Sequence, residues 1–291
     1  MKWEKYLFPA SVAEALSILA EYEGRARVIA GGTDLVPQLK KKERTVKCLV
    51  DLSRVAELKG IHDQGGVIRI GAGVTHQQIA ASPLLRQKAA VLADGAAAVG
   101  SPQIRCMGTV GGNIVNAQPA ADTAIPLLAL GAEAEIASSD GVRRQPLEDL
   151  YVRPGVSKVD ASAEIMVALR FPGLHGKRGS AFARLAKRRS LSLPILNAAA
   201  VVCLSDDGTI FEDVSLALGP VALTPFRARK AEEALRGQPV DGDALVEAME
   251  IASAEAQPRT NPLRGSAEYR RDMVQVLLRR ALERAVAAAR S

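Results

Sequence analysis

The feature that most constrains this chain is an apolar run ending on a glycine pair, which it carries twice. Val28-Ile29-Ala30-Gly31-Gly32-Thr33-Asp34-Leu35 is followed far downstream by Gly108-Thr109-Val110-Gly111-Gly112-Asn113. Each joins apolar residues to Gly-Gly and then to a small polar side chain. That composition is needed where amide N–H groups must approach an anion without a Cβ in the way. Two such turns can hold one diphosphate. Neither is the dinucleotide fingerprint of the Rossmann type, because the glycine spacing differs, and neither is a P-loop, because no Lys-Ser/Thr follows. A different nucleotide cradle is implied.

Local signals place both turns in an α/β context. Ser11-Val12-Ala13-Glu14 reads as a capping box opening a helix to about Tyr22, and Gly24 ends it. Residues 27–30 have the length of a buried strand, with the glycine pair at its carboxyl end, where open α/β sheets bind ligands. Thr33-Asp34 is expected to cap a helix beginning near Leu35 and to aim its N-terminus at the same place. Further strands are expected at 48–51 and 67–71, and Thr75 is expected to cap a short helix. A long alanine-rich helix is expected from Leu84 to Val99, stopping at Gly100-Ser101-Pro102. After the second glycine turn, Asn116-Ala117-Gln118-Pro119-Ala120-Ala121-Asp122 leads into an apolar helix over 123–130 and strands near 132–137 and 164–171.

A chain of 291 residues suits two or three domains. The stretch from Pro172 to Gly179 is rich in breakers and charge and is the expected boundary. Beyond it, Asp206-Asp207-Gly208 reads as a hairpin turn, followed by three helical segments of which the last covers about 266–289. The C-terminal third reads as a small antiparallel sheet with packed helices, and the whole as mixed α+β.

Composition removes several classes of function. No run approaches the ~20 apolar residues of a membrane span, and the N-terminal segment does not read as a signal peptide, so a cytoplasmic location is expected. The net charge of +6 could serve nucleic acid, an anionic cofactor or an acidic partner. With 3% aromatic residues and no aromatic-basic interleaving, nucleic acid is disfavoured. Cys48, Cys106 and Cys203 are far apart and fit core positions in a reducing compartment, so no metal site is expected. His62, His76 and His175 are expected to be exposed or capping, and no nucleophile elbow surrounds Ser53, Ser101 or Ser190. The lack of an acid, base or nucleophile constellation points to chemistry carried by a bound cofactor. Asp122 can cap the helix that follows it or accept hydrogen bonds from sugar hydroxyls, and the residues leave both open. Arg184 and Lys187-Arg188-Arg189 can be a solvated basic face or can bear on a cofactor ring.

Together the motifs resemble the FAD-binding (medium) subunit of the molybdenum hydroxylases, the xanthine dehydrogenase and aerobic carbon monoxide dehydrogenase family. The resemblance spans essentially the whole chain. Its most specific parts are residues 30–35, 108–113 and Pro119-Ala120-Ala121-Asp122, with Arg264-Gly265-Ser266-Ala267-Glu268-Tyr269-Arg270-Arg271 near the end. It implies the two-subdomain FAD-binding fold of the vanillyl-alcohol oxidase (PCMH) type over residues 1–173, with subdomains about 1–55 and 56–173. A small C-terminal α+β domain over 177–291 would follow. It also implies FAD, and noncovalent attachment is favoured because neither glycine turn carries a histidine or cysteine placed for a flavin linkage, although His76 remains available in principle. Val28, Ile29, Ala30, Gly31, Gly32, Thr33, Asp34 and Leu35, with Thr109, Val110, Gly111, Gly112 and Asn113, would cradle the diphosphate. Asp122 would bind sugar or ribityl hydroxyls, Leu35 and Val99 would lie against the flavin, and Met166 with Arg184 or Lys187 would approach it from later in the chain.

In such assemblies a large subunit carries the molybdenum cofactor and a small one carries two [2Fe-2S] clusters, in agreement with the lack of cysteine clusters in this chain. The resemblance implies a dimer of such heterotrimers, with the flavin subunit passing electrons to NAD+, a quinone or dioxygen. The branch similar to 4-hydroxybenzoyl-CoA reductase is disfavoured, because no cysteine-bearing loop lies between Asn113 and Asp122. The alternative is a self-sufficient FAD-dependent oxidoreductase on the same fold, such as a cell-wall precursor reductase. That would require a donor beside flavin N5 which the sequence does not identify. An assembly subunit that has lost FAD is disfavoured by the intact glycine pairs.

Overall fold

Three short strands pair in parallel near the N-terminus of the computed structural model, which describes residues 3–188 and 190–291. Cys48–Asp51 lies at the centre, with Lys5–Leu7 on one side and Ala26–Ile29 on the other. The helix Val12–Glu21 packs on this sheet through Ala15 and Leu19, and Ser11 accepts a hydrogen bond from the Glu14 amide as its capping signal requires.

A second sheet of five antiparallel strands follows, in the order Ile61–Gln64, Val67–Gly71, Ile165–Pro172, Glu133–Ser138, Gly141–Pro146. Short helices cover its inner face. The main core is built from Ile68, Ile70, Ile136, Leu169 and Phe171 of this sheet against Leu92, Ile114, Ile125 and Leu127 of the helices.

The C-terminal sheet, Arg178–Leu185, Leu196–Leu204, Phe211–Gly219 and Phe226–Arg227, is antiparallel and buried on both faces. Strand alternation explains the sandwich. Phe182, Ala199 and Ala217 point into the main core, whereas Ala181, Ala183, Ala198, Ala200, Leu216 and Leu218 point into a second core under the C-terminal helices. Those helices are Arg229–Leu235, Asp243–Glu255 and Ala267–Arg290. The last presents Val274, Leu277, Leu278, Ala281, Leu282 and Ala285 at helical spacing, and each large one contributes about 1.5–3 kcal/mol by leaving water. Residues 173–177, between the second and third sheets, belong to no helix or strand.

Several expectations are corrected. The helix expected over 84–99 is two helices, Pro83–Lys88 and Ala90–Ala98, broken at Ala89 (φ −162, ψ 51). Residues 108–113 are not an open turn, because Thr109 caps the helix Val110–Val115. Asp34 precedes the helix Leu35–Lys40 but makes no side-chain cap, and Asp122 does not cap the helix Ala124–Ala129. Of the three cysteines only Cys48 is buried; Cys203 is half-buried and Cys106 exposed. His62 is exposed, but His76 is buried at the start of the helix His76–Ala81. No helix among the described residues is long and apolar enough to cross a membrane.

Candidate cofactor site

The first glycine turn leaves the carboxyl end of the strand Ala26–Ile29 and folds over the junction of the first two sheets. It meets the second turn there, backbone to backbone. A Cβ on Gly31 would collide with the carbonyl oxygen of Met107, so only glycine permits the contact. Gly32 has φ +68, a left-handed conformation costly for other residues. The second turn is anchored in its own right. The amides of Val110 and Gly111 donate to the carbonyls of Val74 and Ala72 (both 2.9 Å), and those of Gly112 and Asn113 donate to the Thr109 hydroxyl and carbonyl (3.2 and 3.0 Å).

That accounting separates the two turns. All four amides of 110–113 are committed to protein acceptors. Among the described residues, the amides of Gly31, Gly32, Thr33 and Asp34 donate to no protein acceptor. Backbone N–H groups are obligate donors, so four unpaired in succession need water or an anion. The expectation that both turns offer amides is therefore corrected: the first offers them, and the second is a wall. Gly111 is required because a Cβ there would lie 2.6 Å from that of Ala72, a packing demand rather than a ligand demand.

Two chambers meet at these turns. The first, about 500 Å³, is lined by Val28, Leu35, Leu58, Val115, Ile165 and Met166 among apolar residues and by Arg27, Arg44 and Lys158 among cations. The second, about 620 Å³, runs past Gly31–Asp34 and Asn113 to Val99, Ile104, Asp122, Leu191–Leu193 and Arg264. Ala30, Asp34, Leu35, Thr109, Gly112 and Asn116 line both and form the passage. Gly112 faces it bare, with only the Thr109 hydroxyl near a Cβ built there. Burial pushes the Asp34 carboxyl up from its ordinary pKa, against hydrogen bonds with Asn116 and Thr33 that hold it down.

Asp122 forms the polar end of the second chamber. Its Oδ1 accepts from Arg184 Nε (3.0 Å) and from Asn197 Nδ2 (2.9 Å), joining the middle of the chain to the C-terminal sheet. Burial raises the Asp122 pKa, while Arg184 and Asn197 oppose that rise. Arg184 also donates to the Ser192 carbonyl, which ties the 191–193 loop to the same cluster. Thr123 donates to Asn113 Oδ1 (2.9 Å) and orients the Asn113 amide. His76 Nδ1 and Asn197 Oδ1 are buried without hydrogen-bond partners. His76 is held neutral, its pKa lowered to about 4 by burial and by the charge of Arg105.

Most residues singled out from sequence converge here. Val28, Ala30, Asp34, Leu35, Thr109, Gly111, Gly112 and Met166 line the first chamber. Gly31, Gly32, Thr33, Val99, Asn113 and Asp122 line the second. Ile29 and Val110 lie behind the walls and line neither chamber. Arg184 backs Asp122 instead of lining a chamber, and Lys187 and Arg188 are exposed outside both. Arg189 lies outside the described residues. Arg27, Arg44, Asn116, His76, Lys158 and Arg264 were not assigned to the chamber walls from sequence, although Arg264 opens the C-terminal motif over 264–271. Of the others, Asn116 had a local signal, directly after the second turn and before Ala117, whose φ is +48.

The donor set fits FAD. Unpaired amides and a bare glycine stand at the narrow middle, where a diphosphate would lie, between two chambers with apolar walls and sparse polar groups.

Comparison with known proteins places the chain. Residues 2–174 match the family model described as the FAD binding domain in molybdopterin dehydrogenase, and residues 181–285 match the CO dehydrogenase flavoprotein C-terminal domain. The carbon monoxide dehydrogenase medium chain of Afipia carboxidovorans is 34% identical over 98% of both chains. The xanthine dehydrogenase FAD-binding subunit of Escherichia coli O157:H7 is 33% identical over 96% of this chain and 95% of its own. Among solved structures, a Cu,Mo-CO dehydrogenase chain superposes with TM-score 0.92 at 33% identity, covering 99% of this chain and 100% of its own. A chain of quinoline 2-oxidoreductase from Pseudomonas putida 86 gives 0.91 at 28% identity, covering 100% and 99%.

Proposed function

The chain belongs to the family of FAD-binding subunits of the xanthine dehydrogenase and CO dehydrogenase type, oxidoreductase components of molybdenum hydroxylases, and from that premise we propose that it is the electron-exit subunit of such a complex. The carrying observation is the row of four unpaired amides at Gly31–Asp34 where the two chambers join. They would hold the diphosphate, with the adenosine end toward the first chamber and the flavin end toward the second. FAD, when bound noncovalently, would supply the redox chemistry between two [2Fe-2S] clusters, as single-electron donors, and an acceptor such as NAD+, a quinone or dioxygen.

The residues of this chain bind, orient and exclude. Gly112 gives the diphosphate room, and Thr109 fixes the wall behind it. Asp122, positioned by Arg184 and Asn197, accepts from ribityl hydroxyls. Leu35 and Val99 exclude water along the chamber walls, and Met166, expected from sequence beside the flavin, lines the first chamber and on this reading closes the adenosine side instead. The molybdenum cofactor and the iron–sulfur clusters are carried by a large and a small partner subunit, in a dimer of heterotrimers. Among the described residues no three His, Cys, Asp or Glu side chains group as a metal-ligand set.

Purification of the protein from its native host, with an absorption spectrum, metal analysis and identification of co-purifying chains, tests this reading. Flavin and [2Fe-2S] bands with molybdenum and two partner subunits are expected. Flavin on an isolated chain, free of partners and metals, would contradict the electron-exit role and favour a self-sufficient reductase.

A further inference from the structure

The cation expected near the flavin from sequence was Arg184 or Lys187, yet neither is free to serve. Arg184 is committed to Asp122 and the Ser192 carbonyl, and Lys187 lies outside both chambers. Among the described residues, the one arginine or lysine that lines the second chamber is Arg264, from the C-terminal segment. His76 shares that chamber but is neutral.

The backbone holds Arg264 in place. The Arg264 amide donates to the Asn261 carbonyl (3.0 Å), and the Gly265 amide does the same (2.9 Å). Ser266 then caps the long helix by accepting from the Tyr269 amide (3.2 Å). Arg264 thus sits on a closed turn locked to the start of the helix Ala267–Arg290. Its surroundings are cationic as well. Arg270 is buried, with its guanidinium donating to the carbonyls of Arg259 and Pro220, and the charges of Arg264 and Arg259 disfavour its own. Partial desolvation disfavours the charged form of Arg264, and no carboxylate within 4 Å among the described residues compensates it. Of the chamber's two acids, Asp122 is paired with Arg184, and Asp34 stands at the far junction with Asn116 and Thr33. A cation so placed stabilises negative charge that develops in the chamber.

We propose that Arg264 is the electrostatic residue that sets the potential of the flavin, by stabilising the negative charge left on the ring in its reduced form. Uptake of two electrons and one proton by the oxidised ring leaves one net negative charge. The electrons come from the partner's iron–sulfur clusters or, in the experiment, from dithionite. A cation beside the pyrimidine edge favours that anion over both the oxidised ring and the neutral, doubly protonated reduced ring. This inference rests on FAD occupying the second chamber with its ring.

The full chain loaded with FAD tests it, with flavin content measured first. If the wild-type chain retains no FAD, the proposed function fails before the inference is reached. With FAD retained, spectroelectrochemical titration of wild type, Arg264→Gln, Arg264→Lys and Arg279→Gln follows. Arg279 is an exposed helix residue paired with Glu283 and serves as a control for net charge. The midpoint potential is expected to shift to more negative values in Arg264→Gln, to return most of the way in Arg264→Lys, and to stay at the wild-type value in Arg279→Gln. An unchanged potential in Arg264→Gln overturns the inference. If that variant does not fold, a pH titration of the reduced wild-type protein decides. The reduced flavin is expected to stay anionic to lower pH than free reduced FAD measured alongside, and equal ionisation would overturn the inference.

Discussion

The two glycine turns look interchangeable as strings of residues, yet they do opposite work. At 31–34 the amides are unpaired and open onto the passage; at 110–113 every amide is spent on Ala72, Val74 or Thr109. A glycine pair therefore does not by itself signal an anion cradle. Gly31 and Gly111 are both glycine so that backbone can touch backbone, and only the accounting of N–H groups shows which turn has donors left.

Three perturbations sharpen that contrast. Gly111→Val is expected to act as a packing defect, costing about 3 kcal/mol of unfolding free energy as the new side chain meets Ala72. Urea unfolding checks this, and a variant that loses FAD with unchanged stability would restore the ligand role to the second turn.

Acid is expected to weaken the seam between the turns through His76, whose amide donates to the Gly108 carbonyl (3.0 Å). Its folded-state pKa is about 4 against 6.5 unfolded. The unfolded chain therefore binds the proton first, so this stability is complete above pH 6.5 and is lost as pH falls toward 4. Between pH 7 and 5 the loss is about 2 kcal/mol, absent in His76→Leu. Parallel acid sensitivity in the two proteins would remove His76 from the explanation.

The smallest effect on stability, about 1–2 kcal/mol, is expected for Gly32→Ala, where φ is +68. Its effect on FAD should be larger than its effect on folding, because relaxing that φ turns the free amides away from the passage. Flavin titration showing full affinity in a folded Gly32→Ala protein would count against the first turn as the cradle.

How much of this was legible in sequence follows from the range of the forces involved. Ser11, Thr75 and Ser266 announce their helices because capping is settled within four residues. The glycine pairs announce close approach for the same local reason. The break at Ala89 has no glycine or proline to mark it. It is sustained from a distance, with Ala89 fully buried and the Val91 amide donating to the Ser180 hydroxyl (3.3 Å). Asp122 could be read as a cap or a ligand because its real partners, Arg184 and Asn197, are distant in sequence and meet it only when the C-terminal sheet docks. Arg27 and Arg44 enter the first chamber through tertiary packing alone, and nothing in their neighbours marks them among the chain's 38 lysines and arginines; Arg264 opens a motif that the sequence singles out, but its place in the second chamber is set by packing as well.

Amide hydrogen exchange of the chain with and without FAD tests the central claim most directly. The amides of Gly31, Gly32, Thr33 and Asp34 are expected to exchange freely without FAD and to become protected on binding, while those of 110–113 are protected in both states. Protection gained at 110–113 with none at 31–34 would contradict the assignment of the diphosphate to the first turn.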